Sequence, residues 1–269
     1  MNDHLARVER HIDGLSTDIQ FRALTQQWLI GAIGHHYAHN FTWLGRPIIQ
    51  VPQDQYAIQE LIWRVRPDLV IETGVAHGGS LVLSASLLAL LDYCDDAAAG
   101  GPGASVRRSR RRVIGIDIDI RDHNRAAIEA HPLAALIELV QGSSTDADVV
   151  DAVRARAASF ERVMVFLDSN HTHEHVLAEL HAYAPLVSRG SYCVVWDSGV
   201  EDLPDGFVTD RPWGKGNNPK TALRAYLAEL ARQPQQGADG MPLGFEIDKR
   251  IESKIAITAA ADGFLRRTE

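Results

Sequence analysis

Six short segments carry residues whose types and spacing suit chemistry. The first is IETGVAHGGS, residues 71–80, where glycines permit a tight turn and an opening helix offers free N–H groups. Its spacing, Gly74 then Gly78 and Gly79, is not GxGxxG. It fits a cofactor with an amino-acid end better than one with a pyrophosphate. Glu72 can receive that cofactor's ammonium directly or through water, and His77 and Ser80 are further contacts in the same turn. The second segment is VIGIDID, 113–119, where Asp117, with Asp119 as the alternative, can accept both hydrogen bonds of a ribose diol. In QGSSTD, 141–146, Ser143 and Ser144 are placed to border an adenine, although Ser-Thr-Asp also makes a helix cap.

The fourth and fifth segments belong together. FLDSNHTHEH, 166–175, closes an apolar run with Asp168, and VVWDSGVED, 194–202, does the same with Asp197. Two converging carboxylates are costly unless a cation or protonation neutralises them, and magnesium suits an oxygen donor set. Zinc or iron asks for more nitrogen ligands than this pattern offers. Asp168 and Asp197 are therefore metal candidates. His171 is a candidate general base beside a reacting hydroxyl, while His173 and His175 read as surface or capping residues of the next helix. The sixth segment, RPWGKGNNPKTAL, 211–223, is either a lid or a simple connection.

The elements that must position these groups follow from the apolar pattern. Strand-like runs occur at Leu69–Glu72, Val113–Asp117, Ile137–Val140, Val163–Leu167, Tyr192–Trp196, Phe245–Ile247 and Lys254–Thr258. Helical stretches at 79–92, 121–130, 146–159, 173–187 and 218–232 separate most of them. Continuous Val/Ile/Leu runs between helices are what a parallel sheet covered on both faces requires. The fold class predicted is α/β: a Rossmann-like, seven-stranded, mostly parallel sheet with a terminal antiparallel hairpin, plus N-terminal helices over residues 4–38. The segment FTWLGRPIIQVPQD, 41–54, reads as an ordered extended connector, and 54–66 as a helix. The predicted division is 1–53, an N-terminal helical and lid segment, and 54–269, the Rossmann-like domain. Residues 97–112 read as a surface insertion.

Composition narrows the partners. The 269 residues carry a formal net charge of -8, which disfavours nucleic acid and anionic membranes. The basic run from Arg107 to Arg112 lacks interleaved aromatics and reads as a solvated loop. Cys94 and Cys193 lie far apart, with neither disulfide-framework nor CxxC spacing. With no apolar run of membrane length and no signal-peptide core, the predicted compartment is the cytoplasm.

Taken together, NFTWLGRPIIQVPQD, VIETGVAHGGS, VIGIDIDIRDHN, FLDSNHTHEHV, RPWGKGNNPKTA and ITAAADGFLRR resemble the cephalosporin hydroxylase/methoxylation-protein family of S-adenosylmethionine-dependent methyltransferases. The likeness to metal-dependent macrolide-sugar O-methyltransferases is more distant. The resemblance implies S-adenosylmethionine and Mg2+ as cofactors, a small-molecule acceptor, and homo-oligomers built partly through the N-terminal helices. It places Glu72, Gly74 and Gly78 in the cofactor turn, Asp117 on the ribose, and Asp168 and Asp197 on the metal. Where one family member has Glu-Asp after strand five, this chain has Trp196-Asp197, so Asn170, Asp202 or water completes the metal shell. The activity expected is Mg-assisted O-methylation of a sugar or other natural-product hydroxyl. Its rivals are a metal-dependent oxygenase and a non-catalytic cofactor-binding subunit. Tyr37, Phe41, Trp43, Trp196 and Trp213 are the aromatic candidates for an acceptor pocket.

Overall fold

The computed structural model describes residues 2–101 and 106–269. Its centre is a seven-stranded sheet: β1 (Leu69–Thr73), β2 (Arg112–Asp117), β3 (Ile137–Gln141), β4 (Val163–Leu167), β5 (Tyr192–Val195), β6 (Phe245–Ile247) and β7 (Phe264–Arg267). The spatial order is β6-β7-β5-β4-β1-β2-β3. Only β7 runs antiparallel, pairing with both β5 and β6. Strands β1 and β4 are parallel neighbours, so the order reverses between them, and crevices at such a reversal take ligands.

Both faces of the sheet are covered, which is why its strands read as unbroken apolar runs. Val70, Val113, Met164 and Val194 point to one side, against Leu61 and Ile62 of α3 (Pro52–Val65) and Leu81 and Leu88 of α4 (Gly79–Ala98). Leu69, Ile71, Ile114, Val165 and Val195 point to the other. There they meet Val150 and Val153 of α6 (Ala147–Ala157), Leu180 of α7 (His173–Tyr183) and Leu223 of α8 (Pro219–Arg232). Helix α5 (Asp122–Glu129) supplies Ile128 to the first side. Burial of these side chains, each worth about 1.5–3 kcal/mol, is the main stabilising term.

One predicted strand is corrected. Lys254–Thr258 is not β7; its start belongs to α9 (Lys249–Ile255), and the last strand is Phe264–Arg267. Asp248 explains the helix, since its side chain accepts the N–H groups of Arg250 and Ile251 as an N-cap. FLRR hides a strand because its second arginine looks solvent-bound. Arg267 is in fact 1% exposed, with its guanidinium donating to the Val187 carbonyl at 2.6 Å and to Asp239 at 2.8 Å. The terminal antiparallel pair therefore exists, with a helix between its strands.

The N-terminal helices are α1 (Asn2–Thr17) and α2 (Ile19–Gly34). Arg250 of α9 ties α1 down through Asp13 at 2.9 Å. The connector folds into two short antiparallel strands, Phe41–Trp43 and Arg46–Ile48. Of the predicted insertion, 97–98 complete α4, residues 102–105 lie outside the described residues, and Arg112 begins β2. Arg107, Arg108 and Arg110 are exposed as a solvated run should be, whereas Arg111 pairs with Asp92 and Asp95.

Candidate active site

The glycine turn leaves β1 and is shaped by what lies beside it. Gly74 has φ +89°, and a Cβ there would stand 2.1 Å from the carbonyl oxygen of Asp168. Only glycine lets the turn pass this close to the end of β4. Behind it, Glu72 is 1% exposed. The Ser80 hydroxyl donates to its Oε1, while Oε2 is buried without a partner. Burial pushes the Glu72 carboxyl up to about 8, only partly offset by Ser80. A buried, half-satisfied carboxyl is costly in isolation and fits an incoming ammonium. His77 turns its carbonyl to Arg46, whose Nε lies 2.9 Å away, so its backbone braces the turn.

Asp117 ends β2 as expected. Its carboxylate accepts N–H groups from Val75 at 2.8 Å, Ala76 at 3.3 Å and Asp119 at 3.0 Å, so it holds the glycine turn. Asp119 itself is exposed. The two serines diverge. Ser143 bonds Thr145 at 3.0 Å, but Ser144 is buried and donates to Glu179 at 2.6 Å. Ser144 is thereby turned inward, away from the adenine contact expected of it.

The acids after β4 and β5 do converge. Ligand atoms of Asp168, His171 and Asp197 lie within 4.8 Å of one another, and His171 Nε2 is 3.2 Å from Asp197 Oδ2. Burial raises the Asp168 carboxyl well above the ordinary range, and four other acids add to it: Asp197, Glu72, Glu179 and Asp54. So many acids around one carboxyl disfavour its ionisation in the empty site and fit a cationic guest that would let them ionise. Asp197 also adopts φ 52°, a left-handed conformation that costs a non-glycine residue about 1–3 kcal/mol and clusters at functional positions.

The two side chains expected as a third ligand each have a protein partner. Asn170 Oδ1 accepts the Thr172 N–H at 3.0 Å at the start of α7, and Asp202 pairs with the buried Lys220. His171 stands beside the two carboxylates, close enough that the three side chains could hold one ion between them. Two carboxylates and one imidazole form a set for a hard divalent cation, and they lack the second histidine of iron oxygenases. His175 is also corrected. Rather than capping or facing solvent, its Nε2 stands 3.0 Å from Ser144 and 3.1 Å from Ser169. A polar residue every fourth position on α7 (His175, Glu179, Tyr183) was the available signal for this inward stripe.

A mostly apolar cavity of about 220 Å³ opens at Asp168 and Asp197. Its far wall is the N-terminal segment, with Leu29, Ile33, His36 and Tyr37, and its flank carries Trp196 and Gln50. Gln50 is 8% exposed and its Oε1 has no partner. Of the remaining aromatic candidates, Trp213 reaches the site, meeting the His171 ring edge-on at 4.8 Å. Phe41 packs on Tyr37, and Trp43 turns into the core to donate to Ser86. The Trp213 contact attaches the 211–223 segment to the site.

The family model described as Rhamnosyl O-methyltransferase/CmcI matches residues 35–268. A rhamnosyl O-methyltransferase of Mycobacterium leprae (strain TN) is 28% identical over 235 residues, 87% of this chain and 86% of the relative. One from Mycobacterium tuberculosis (strain ATCC 25618 / H37Rv) is 28% identical over 229 residues, 84% and 78% of the two chains. Among solved structures, the apo form of CmcI-N160 superposes with TM-score 0.53 at 20% identity, covering 86% of this chain and 77% of that one. The Mg-SAM form of CmcI-D160 gives 0.52 at 19%, covering 86% and 78%. Both share the fold.

Proposed function

The chain belongs to the rhamnosyl O-methyltransferase/CmcI family, and from that premise we propose that it methylates a hydroxyl of a small sugar or natural product, with S-adenosylmethionine as donor and Mg2+ as the cation. A rhamnosyl hydroxyl is the first acceptor to test, since the curated relatives carry that name. The observation that carries the reading is the gathering of Asp168, His171 and Asp197 one strand from the glycine turn, with the unpartnered oxygen of Glu72 behind it.

In this reading Glu72 holds the donor's ammonium, Asp117 takes the ribose hydroxyls, and Ser143 remains the adenine-side candidate. Asp168 and Asp197 hold the cation. When bound, donor and cation supply an electrophilic methyl group and a lowered hydroxyl pKa. His171 accepts the acceptor's proton on the ring nitrogen not engaged by Asp197, and Asp197 stabilises the imidazolium that results. The apolar walls exclude water, and the remaining work is to hold oxygen and methyl in line at near-attack distance. Residues 29–51 serve as the cavity's cover. The exposed Ile19, Leu24 and Trp28 of α2 support an oligomeric contact on that helix, which light scattering of wild type against Trp28→Glu tests.

Calorimetry with S-adenosylhomocysteine, with and without Mg2+, followed by methyl transfer to a panel of rhamnosides, tests the whole. Asp168→Ala should abolish turnover while binding the cofactor product nearly as wild type does. Purified chain that neither binds it nor transfers a methyl group to any hydroxyl overturns the reading.

A further inference from the structure

One face of α7 presents His175, Glu179 and Tyr183 to two loops of the crevice, and the reaction outlined above uses none of them. Glu179 is fully buried. Its Oε1 accepts the Ser144 hydroxyl at 2.6 Å and the Ser169 hydroxyl at 2.6 Å. His175 Nε2 lies 3.0 Å from Ser144 Oγ and 3.1 Å from Ser169 Oγ. Tyr183 donates to the Ser144 carbonyl at 2.6 Å.

Counting hydrogens assigns the roles. Each serine hydroxyl has one hydrogen, and both are given to Glu179. The contacts with His175 therefore require a hydrogen on its Nε2, shared between the two serine oxygens. Ser169 directly follows Asp168, and Ser144 directly follows Ser143. The cluster is thus a strap tying the loop that ends in the metal-side acid to the loop on the adenine side. Cutting it leaves buried polar atoms unpaired, so neither loop can relax without penalty.

We propose that His175 and Glu179 are positioning residues, which hold the Asp168 loop and the Ser143–Ser144 loop in register so that donor and cation meet. The kinetic part of this proposal rests on the methyltransferase reading; the tautomer does not. The strap has two ends, and they should separate in kinetics. In the full-length enzyme, Ser169→Ala should lower kcat about tenfold with the KM for S-adenosylmethionine unchanged, the scale of one charge-assisted hydrogen bond. Ser144→Ala should raise that KM about tenfold and spare kcat. His175→Leu should do both, and His175→Gln, which keeps an N–H near the Nε2 position, should recover most of each loss. Thermal melts identify any variant that fails to fold, and the two serine variants, which remove one oxygen each, keep the test alive in that case. Nitrogen-15 NMR of the wild type should show Nε2 of His175 protonated. A neutral ring protonated only on Nδ1, serine variants indistinguishable from wild type or from each other, or equal losses in His175→Gln and His175→Leu would each overturn the proposal. Wild type that does not bind S-adenosylhomocysteine sinks the methyltransferase reading and the positioning role with it. Wild type that binds it while both serine variants stay unchanged sinks the positioning role alone.

Discussion

Nε2 of His171 lies 3.2 Å from Oδ2 of Asp197, and Asp197 also lines the apolar cavity. One carboxylate thus faces both the cavity and an imidazole, an arrangement in which an acid could orient a base. His171→Gln is expected to cut kcat by about 10²–10⁴, the usual range for a lost general base. Affinity for S-adenosylhomocysteine should stay within about twofold of wild type, because the residue does not hold the donor. Titrating Mg2+ separates the two roles that the geometry allows. A kcat loss repaired by excess Mg2+ would make His171 a ligand rather than the base.

With Glu72 on the donor's ammonium, as proposed, binding of the donor product should be sensitive to pH. Its carboxyl sits at about 8 in the free protein, and an ammonium guest requires it ionised. Binding below that pH therefore expels a proton from Glu72. Affinity should rise by up to about tenfold per pH unit from pH 6 to 8 and then level off. Glu72→Gln should bind weakly and lose this slope, which calorimetry in buffers of different ionisation enthalpy reads directly as proton release. A wild-type affinity flat from pH 6 to 8 would remove Glu72 from the ammonium site.

Gly74 and Gly240 share a positive φ, +89° and +73°, but only Gly74 faces backbone within contact distance. A methyl group at Gly240 meets nothing within 4 Å, so Gly240→Ala should cost only the conformational strain, about 1 kcal/mol. Gly74→Ala adds a 2.1 Å approach to the Asp168 carbonyl, which must move the end of β4. We expect a loss of at least about 2 kcal/mol by urea unfolding, together with loss of metal-dependent activity. Equal costs at both positions would show that the turn and β4 can separate freely.

The candidate site was legible in the chain because its acids sit at strand ends. An apolar run that stops at an acid, as at Asp117, Asp168 and Asp197, marks the edge of a parallel sheet whatever the tertiary detail. The glycine turn announces itself through backbone needs that only glycine meets. What stayed hidden depends on partners distant in sequence. Arg267 reads as surface until Val187 and Asp239 are known to receive it, so β7 was placed ten residues too early. Ser144 reads as a crevice residue until Glu179, 35 positions on, claims its hydroxyl.

Asp54 gives the fold its own pH dependence. It is fully buried on α3, accepts the Ala259 N–H at 2.9 Å, and leaves Oδ1 without a partner. Burial pushes its carboxyl up to about 7, against hydrogen bonds from Thr258 and Ala259 that pull the other way. The folded state therefore keeps a proton that the unfolded chain has released above about 3.8. Between those two values the native state binds more protons, so stability falls as pH rises, and the full penalty is present above pH 7. The gap from 3.8 to about 7 corresponds to at most about 4 kcal/mol. Asp54→Asn removes the ionisation while keeping an acceptor for Ala259. Urea unfolding of the cation-free protein should show the variant losing much less stability than wild type between pH 4.5 and 7.5. Parallel curves for the two proteins would mean that Asp54 is ionised in the native state throughout, held so by a charge partner other than those around it here.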